Sequence, residues 1–231
     1  MKGFDEYASK YDAWFLDNPN VLASEAKLVA AVLKDSRHIL SVGCGSGLFE
    51  KIMKDEYGIV VEDGIEPSEG MAEIARKRGM NVTIATGETA EYPKGKYDTI
   101  IFNGSPSYVT DLEKVVRKVY DALDEGGKII LVDVPKESTY GIMYNLAKAL
   151  GTWDHKLLEG VYPPNPYPIE FVNIANWRTS AEKKEVLEKC GFKNLSFMQT
   201  LTTRPLSSDL KTEEPVEGCD RGDYVALTGI K

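Results

Sequence analysis

Apolar positions change period repeatedly along this chain, and each change marks an element. Over residues 21–33, Leu22, Ala26, Val29 and Leu33 recur at helical spacing on one face. Residues 38–42 form a short apolar run ending at glycine, a strand, and residues 47–54 read as helix. Residues 58–61 and 64–65 together predict the second strand, interrupted by a bulge or turn near Glu62 and Asp63. A helix over 69–78 is expected to bury Met71, Ile74 and Ala75 before Gly79 stops it. Residues 81–85 and 97–102 predict a third and a fourth strand. Thr110 and Glu113 have capping-box spacing and open a helix with Leu112, Val115, Val116, Val119, Tyr120 and Leu123 on its apolar face. Gly126 and Gly127 turn the chain into 128–134, a run apolar almost throughout, as suits a central strand covered on both faces.

The rhythm lapses over 138–178, where a helical piece at 140–150 precedes a stretch rich in proline and aromatic residues. It resumes at a second capping box, Thr179 with Glu182, whose helix runs to Cys190 and stops at Gly191. Two late strands, 194–202 and 223–230, are joined by a polar loop holding Cys219. A parallel pair needs a long crossover, so these two are expected to pair antiparallel. Strand–helix repetition predicts a parallel α/β sheet with helices on both faces. The whole of 1–231 reads as one domain, with 138–178 as an inserted cap.

Charge narrows the partners. The net charge of −8 argues against nucleic acid, whose binders carry a basic face, and the run Arg76-Lys77-Arg78 reads as the wet side of a helix. Three cysteines without a CxxC pair predict no disulfide framework and a reducing, cytoplasmic setting. His38 and His155 form no ligand cluster, so no metal is expected. Nothing resembles a secretory signal, and no apolar run approaches the roughly 20 residues a bilayer requires, so no membrane association is expected.

The candidate chemistry lies after the first strand. Gly43-Cys44-Gly45-Ser46-Gly47 allows a tight turn and lets a ligand approach bare backbone at a helix N-terminus. Nineteen residues beyond Gly47, Glu66 ends the second strand, where a carboxylate can accept from both hydroxyls of a ribose. Residues 39–47 resemble motif I of the class I S-adenosylmethionine-dependent methyltransferases. Gly64-Ile65-Glu66-Pro67-Ser68, followed by Met71, is similar to their second motif, although aspartate is commoner at the acidic position. Gly87-Glu88-Thr89-Ala90-Glu91 with Pro93 resembles the third, with Glu88 in place of the usual aspartate; there the acid and the next amide meet adenine. The strand ending at Asn103 resembles the fourth, beside the methionine part of the cofactor, and Gly126-Gly127-Lys128 the turn before strand five, with Glu125 at the usual proline. A nicotinamide fingerprint would read GxGxxG, whereas Leu48-Phe49 follows GxGxG here.

The resemblance implies a seven-stranded sheet in the order 3-2-1-4-5-7-6 with strand seven antiparallel. It implies S-adenosylmethionine as cofactor, held by Tyr11, Gly43, Cys44 and Gly45, by Glu66, Pro67 and Met71, and by Glu88, Thr89 and Asn103. The side chain of Cys44 reads as structural. Three places could supply the acceptor site: an N-terminal helix with Tyr7, Tyr11 and Trp14; the loop after strand four with Tyr108; and the aromatic segment with Tyr140, Tyr144, Trp153, His155, Tyr162, Tyr167 and Trp177. Tyr108, Tyr140, Tyr144 and Trp153 are the substrate candidates, and Tyr108 and His155 the candidate catalytic groups. The aromatic segment suits a lid over a small-molecule acceptor, or equally an interface between copies. A cofactor-binding module without chemistry, and a methyltransferase of protein or RNA, are the competing functions.

Overall fold

A computed structural model describes residues 11–161, 165–203 and 209–231; Tyr7 and Tyr162 lie outside them. Five strands run parallel: β1 (Ile39–Val42), β2 (Asp63–Ile65), β3 (Asn81–Thr83), β4 (Thr99–Asn103) and β5 (Lys128–Asp133). β6 (Lys193–Thr200), β7 (Val216–Glu217) and β8 (Tyr224–Ile230) complete the order β3-β2-β1-β4-β5-β8-β6-β7. β8 is antiparallel to both of its neighbours, β5 and β6. The expected order thus holds for the seven longer strands, with β6 and β8 as sixth and seventh. The two-residue β7, within the stretch expected to be a polar loop, adds an eighth against Met198 and Gln199.

The central strands are apolar on both sides because two helical layers cover them. Ile100, Phe102, Ile129 and Leu131 face one core with Val115, Val116 and Val119 of α5 (Leu112–Ala122) and Leu187 of α8 (Ser180–Lys189). Ile101, Ile130 and Val132 alternate to the other core, with Leu28, Val29 and Leu33 of α2 (Pro19–Leu33) and Met53 of α3 (Leu48–Tyr57). α1 (Tyr11–Asp17) precedes α2, and α4 (Glu69–Lys77) joins β2 to β3. Between β5 and β8's partner β6, α6 (Thr139–Leu150) and the short α7 (Ile169–Ile174) occupy the aromatic segment. Among the described residues, no helix is long and apolar enough to cross a membrane.

Several boundaries differ from expectation, each for a local reason. Residues 58–61 are not strand: Gly58 leaves α3 in the left-handed conformation, φ +68°, and returns its N–H to Met53, so the chain uses the next residues to reach the sheet. Ile74 is only half-buried, while Met71, Ala72 and Ala75 are buried. The capping box of Thr179 and Glu182 forms. The one expected at Thr110 and Glu113 does not: Asp111 caps α5 by accepting from Lys114 N at 3.0 Å, and Glu113 pairs with Arg117. The cap moves because the Thr110 N–H is already given to Glu88 Oε1 at 2.8 Å.

Asp111→Ala should therefore cost about 1 kcal/mol of stability, the usual loss for a helix N-cap, while Thr110→Ala should cost much less. Urea melts of the two variants check this, and a larger loss in Thr110→Ala would return the cap to Thr110.

Candidate functional site

The site grows from the glycine loop. The N–H groups of Gly43 and Cys44 both donate to Ile65 O, at 2.7 and 3.2 Å, clamping the end of β1 to the end of β2. The Glu66 carboxylate, only 5% exposed, then spans the gap: Gly45 N–H donates to Oε2 at 2.9 Å and Ser68 N–H to Oε1 at 2.8 Å. From the other side, Ser105 Oγ donates to Val42 O at 2.6 Å, drawing the loop after β4 against the glycines. A Cβ at Gly43 would stand 2.5 Å from that of Ser105, and φ there is +72°, so no other residue fits. Gly45 has φ +56° and faces Tyr11, whose ring lies 3.7 Å from where a Cβ would be.

α1 is fastened over this loop by charge. Asp12 accepts from Ser46 Oγ and from Arg78, and Arg78 also donates to Ser46 O at 2.7 Å. The basic run is therefore not simply a wet helix face: Arg76 pairs with Glu69 on the surface, whereas the half-buried Arg78 holds Tyr11 in place through Asp12.

The result is a cleft of about 840 Å³ at the point where strand order reverses, between β1 and β4. Tyr11, Gly43, Gly45, Glu66, Pro67 and Met71 line it on one side, and Glu88, Asn103 and Tyr108 on the other. Hydrogen bonds from Thr110 and Asp111 N–H help hold Glu88 below its ordinary pKa, outweighing its partial burial, which acts the other way.

A second cavity of about 430 Å³ adjoins the first through Tyr11, Gly104 and Tyr108. Tyr144, Tyr167 and Trp177 of the aromatic segment close it, with Glu25, Asp133 and Tyr224 on its other walls. Tyr144 stacks at 5.1 Å from Trp177 and at 6.1 Å from Tyr167, and Tyr167 at 5.6 Å from Phe171. Arg178 binds the end of this segment to the site loop, donating to the carbonyls of Pro106, Val109 and Thr110 at 2.9, 2.8 and 3.1 Å.

Two buried carboxylates face this cavity. Burial raises Asp133 to about 6, opposed by the nearby Lys183 and by the Val134 N–H. Glu25 is 7% exposed, and among the described residues its carboxylate has no hydrogen bond or ion pair; burial alone pushes it up to about 8. Burial also raises the phenols of Tyr11, Tyr108, Tyr144, Tyr167 and Tyr224 well above their ordinary value.

Five expected site residues stand elsewhere. Cys44 turns into a buried pocket with Ala75 and Met80, its Sγ 2.6 Å from where a Cβ at Gly64 would be. Thr89 is exposed and spends its N–H and hydroxyl on Thr86. His155 is exposed on a turn, its Nδ1 accepting from Leu157 N. Tyr140 lies in the core of the aromatic segment, and Trp153 braces Tyr167 by donating to its carbonyl at 2.8 Å; neither lines either cavity. The sequence reading missed Asp12, Glu25, Asp133 and Tyr224. Glu25 had a signal, since a charged residue follows Leu22 and precedes Val29 on the apolar stripe of α2.

A parallel sheet with a glycine loop at its switch point and an acid ending β2 defines a Rossmann-like nucleotide-binding fold. A model of the methyltransferase domain matches residues 15–196, and the chain belongs to the class I S-adenosylmethionine-dependent methyltransferase family. It is 29% identical to an uncharacterised protein of Methanocaldococcus jannaschii over the full length of both. A crystal structure from Thermotoga maritima, described as an S-adenosylmethionine-dependent methyltransferase and possible histamine N-methyltransferase, superposes with a TM-score of 0.82 at 28% identity, covering 99% of this chain and 97% of that one. The trans-aconitate 2-methyltransferase of Agrobacterium fabrum is 25% identical over 194 residues, 81% of this chain and 70% of its own.

Glu25 makes a pH prediction. Its folded pKa is raised above the ordinary carboxylate value, so unfolding lets it ionise, and the fold loses stability as pH climbs through the window up to about 8. Glu25→Gln should be increasingly more stable than the parent across that window and little different below it. Denaturant melts at both ends check this; an advantage that does not grow with pH means Glu25 is already ionised in the fold.

Proposed function

We propose that this chain transfers a methyl group from S-adenosylmethionine, bound in the larger cleft, to a small molecule held in the adjoining aromatic cavity. The observation that carries the reading is the meeting of the two cavities at Tyr11, Gly104 and Tyr108. A donor on one side and an acceptor on the other then share one wall.

The cleft's residues fit this cofactor. The Glu66 carboxylate lines the cleft where the family places the ribose hydroxyls, its oxygens fixed by the Gly45 and Ser68 N–H groups. The Gly43–Gly45 backbone leaves room for the chain of the amino acid, Met71 gives an apolar wall, and Glu88 stands where the family meets adenine. The sulfonium of S-adenosylmethionine supplies a methyl group that is electrophilic without help from the protein. What remains for the chain is positioning and exclusion of water. Tyr108 and Asn103 face the cleft near the junction, and Tyr224 fixes the Asn103 side chain by donating to its Oδ1 at 2.9 Å. Residues 138–178 act as a cap on a single domain, closing the acceptor cavity with Tyr144, Tyr167 and Trp177. A small aromatic-lined cavity in a chain of net charge −8 favours a compact acceptor over RNA.

The deciding experiment incubates the chain with S-adenosylmethionine and a panel of small acceptors and reads S-adenosylhomocysteine by mass spectrometry. Turnover with at least one acceptor supports the reading; cofactor binding without turnover across the panel reduces the chain to a binding module. Glu66→Ala should weaken cofactor affinity roughly tenfold or more, since hydrogen bonds to a charged group contribute about 1.5–3 kcal/mol, and calorimetry showing unchanged affinity removes it from the site. Tyr144→Ala should lower acceptor turnover far more than cofactor affinity. Hydrogen exchange in 138–161 should slow when ligands are added; protection that follows self-association instead makes this segment an interface.

A further inference from the structure

The relatives differ in the acceptor their names imply, so the acceptor class has to come from the walls of the cavity itself. Among the described residues, no lysine or arginine lines it. Its two charged residues are both acids, and they are not equivalent. Asp133 accepts from the Val134 N–H at 2.9 Å and feels the attraction of Lys183 and Arg178. Glu25 has no such company among the described residues, although it is 7% exposed on a helix whose neighbouring Leu22, Ala26 and Val29 are core residues. A buried carboxylate without a partner is costly and does nothing for folding. Its charge is felt by Tyr144, Tyr167 and Tyr224, which places it amid the aromatic walls. The ring of Trp177 lines the same cavity, and its buried Nε1–H has no hydrogen-bond acceptor among the described residues.

We infer that the aromatic cavity is a site for a small organic amine, with Glu25 as the counter-ion of its cationic head and aromatic faces packed around it. A cation over aromatic faces is attracted by the ring quadrupoles, most strongly where water is excluded. The bound cation gives Glu25 an ion-pair partner. A carboxylate ligand would instead keep Glu25 protonated and bring like charge to Asp133, gaining no ion pair. This rests on the proposed function only in taking this cavity as the acceptor's place; the ligand class follows from its walls.

Binding has a signature beyond affinity. Among the described residues, the titratable side chains lining the cavity are Asp133, Tyr11, Tyr108, Tyr144, Tyr167 and Tyr224 besides Glu25 itself. With Glu25 at about 8, a bound cation drives its proton off near neutral pH. A quaternary ammonium has no proton of its own to release, so protons that appear on its binding come from the protein.

The test titrates matched amine, trimethylammonium, alcohol and carboxylate compounds on butyl, phenylethyl and indolylethyl frames into the full chain, with and without S-adenosylhomocysteine. Calorimetry is run in buffers of different ionisation heat. At least one amine should bind tenfold or more tighter than its alcohol, with its carboxylate weakest, and the trimethylammonium compound should release protons. Glu25→Gln should abolish both the preference and the release, with retained binding of S-adenosylhomocysteine showing that it folds. Carboxylates binding as well as amines, a preference unchanged in Glu25→Gln, or no amine binding on any frame overturns the inference. If the amines fail while S-adenosylhomocysteine binds, the methyltransferase reading stands; if amines bind and the nucleoside does not, that reading falls and the amine site remains.

Discussion

The site depends on one carboxylate reaching across two strand ends. Glu66 leaves β2 and takes the Gly45 N–H from the loop after β1 and the Ser68 N–H from the start of α4. Without it, two backbone donors in a buried corner lose their acceptor, and each such loss costs about 1–3 kcal/mol. The loop would also lose the tie that sets its glycines against Ser105 on one side and Tyr11 on the other. The acid that the family resemblance assigns to a ligand is thus also the brace of the glycine loop. Glutamate, one methylene longer than the commoner aspartate, reaches both backbone donors.

The doubly wound core was legible because its rules are local. Alternation of apolar residues in β4 and β5, the stripe on α5 and the capping box at Thr179 all act over a few residues. The glycine loop and Glu66 were legible because a motif carries both. What escaped depended on contacts between distant segments. Asp12 and Arg78 are 66 residues apart and meet only when α1 folds over the glycine loop. Asp133 looks like the end of a strand until Tyr224 arrives from β8. The aromatic segment was visible as a composition, yet which of its rings face the cavity was not: Tyr140 and Tyr144 lie one turn apart and pack together, but only Tyr144 lines the cavity, and Trp153 works as a strut for Tyr167.

That segment also shows how packing and recognition share material. Tyr144 belongs at once to the cluster that holds α6 and α7 together and to the wall of the second cavity. Phe171 reaches past it to Met71 and Tyr11, so the aromatic segment rests on the same residues that line the larger cleft. Arg178, with carbonyls of the site loop on its guanidinium, makes the segment's far end part of that loop. Each cavity is therefore walled by residues whose other side is the segment's own core.

The margins of the sheet have a separate consequence. One edge is β3, three residues long; the other is β6, whose outer side is covered for two residues by β7. Near its start, β6 is further broken by a register shift between Lys193 and Ser196, with Asn194 at φ +48°. A long, flat, unpaired strand is a template on which another chain can extend a sheet. Neither margin offers one, so the eight strands end in short or irregular borders that discourage the growth of intermolecular β-structure at high concentration.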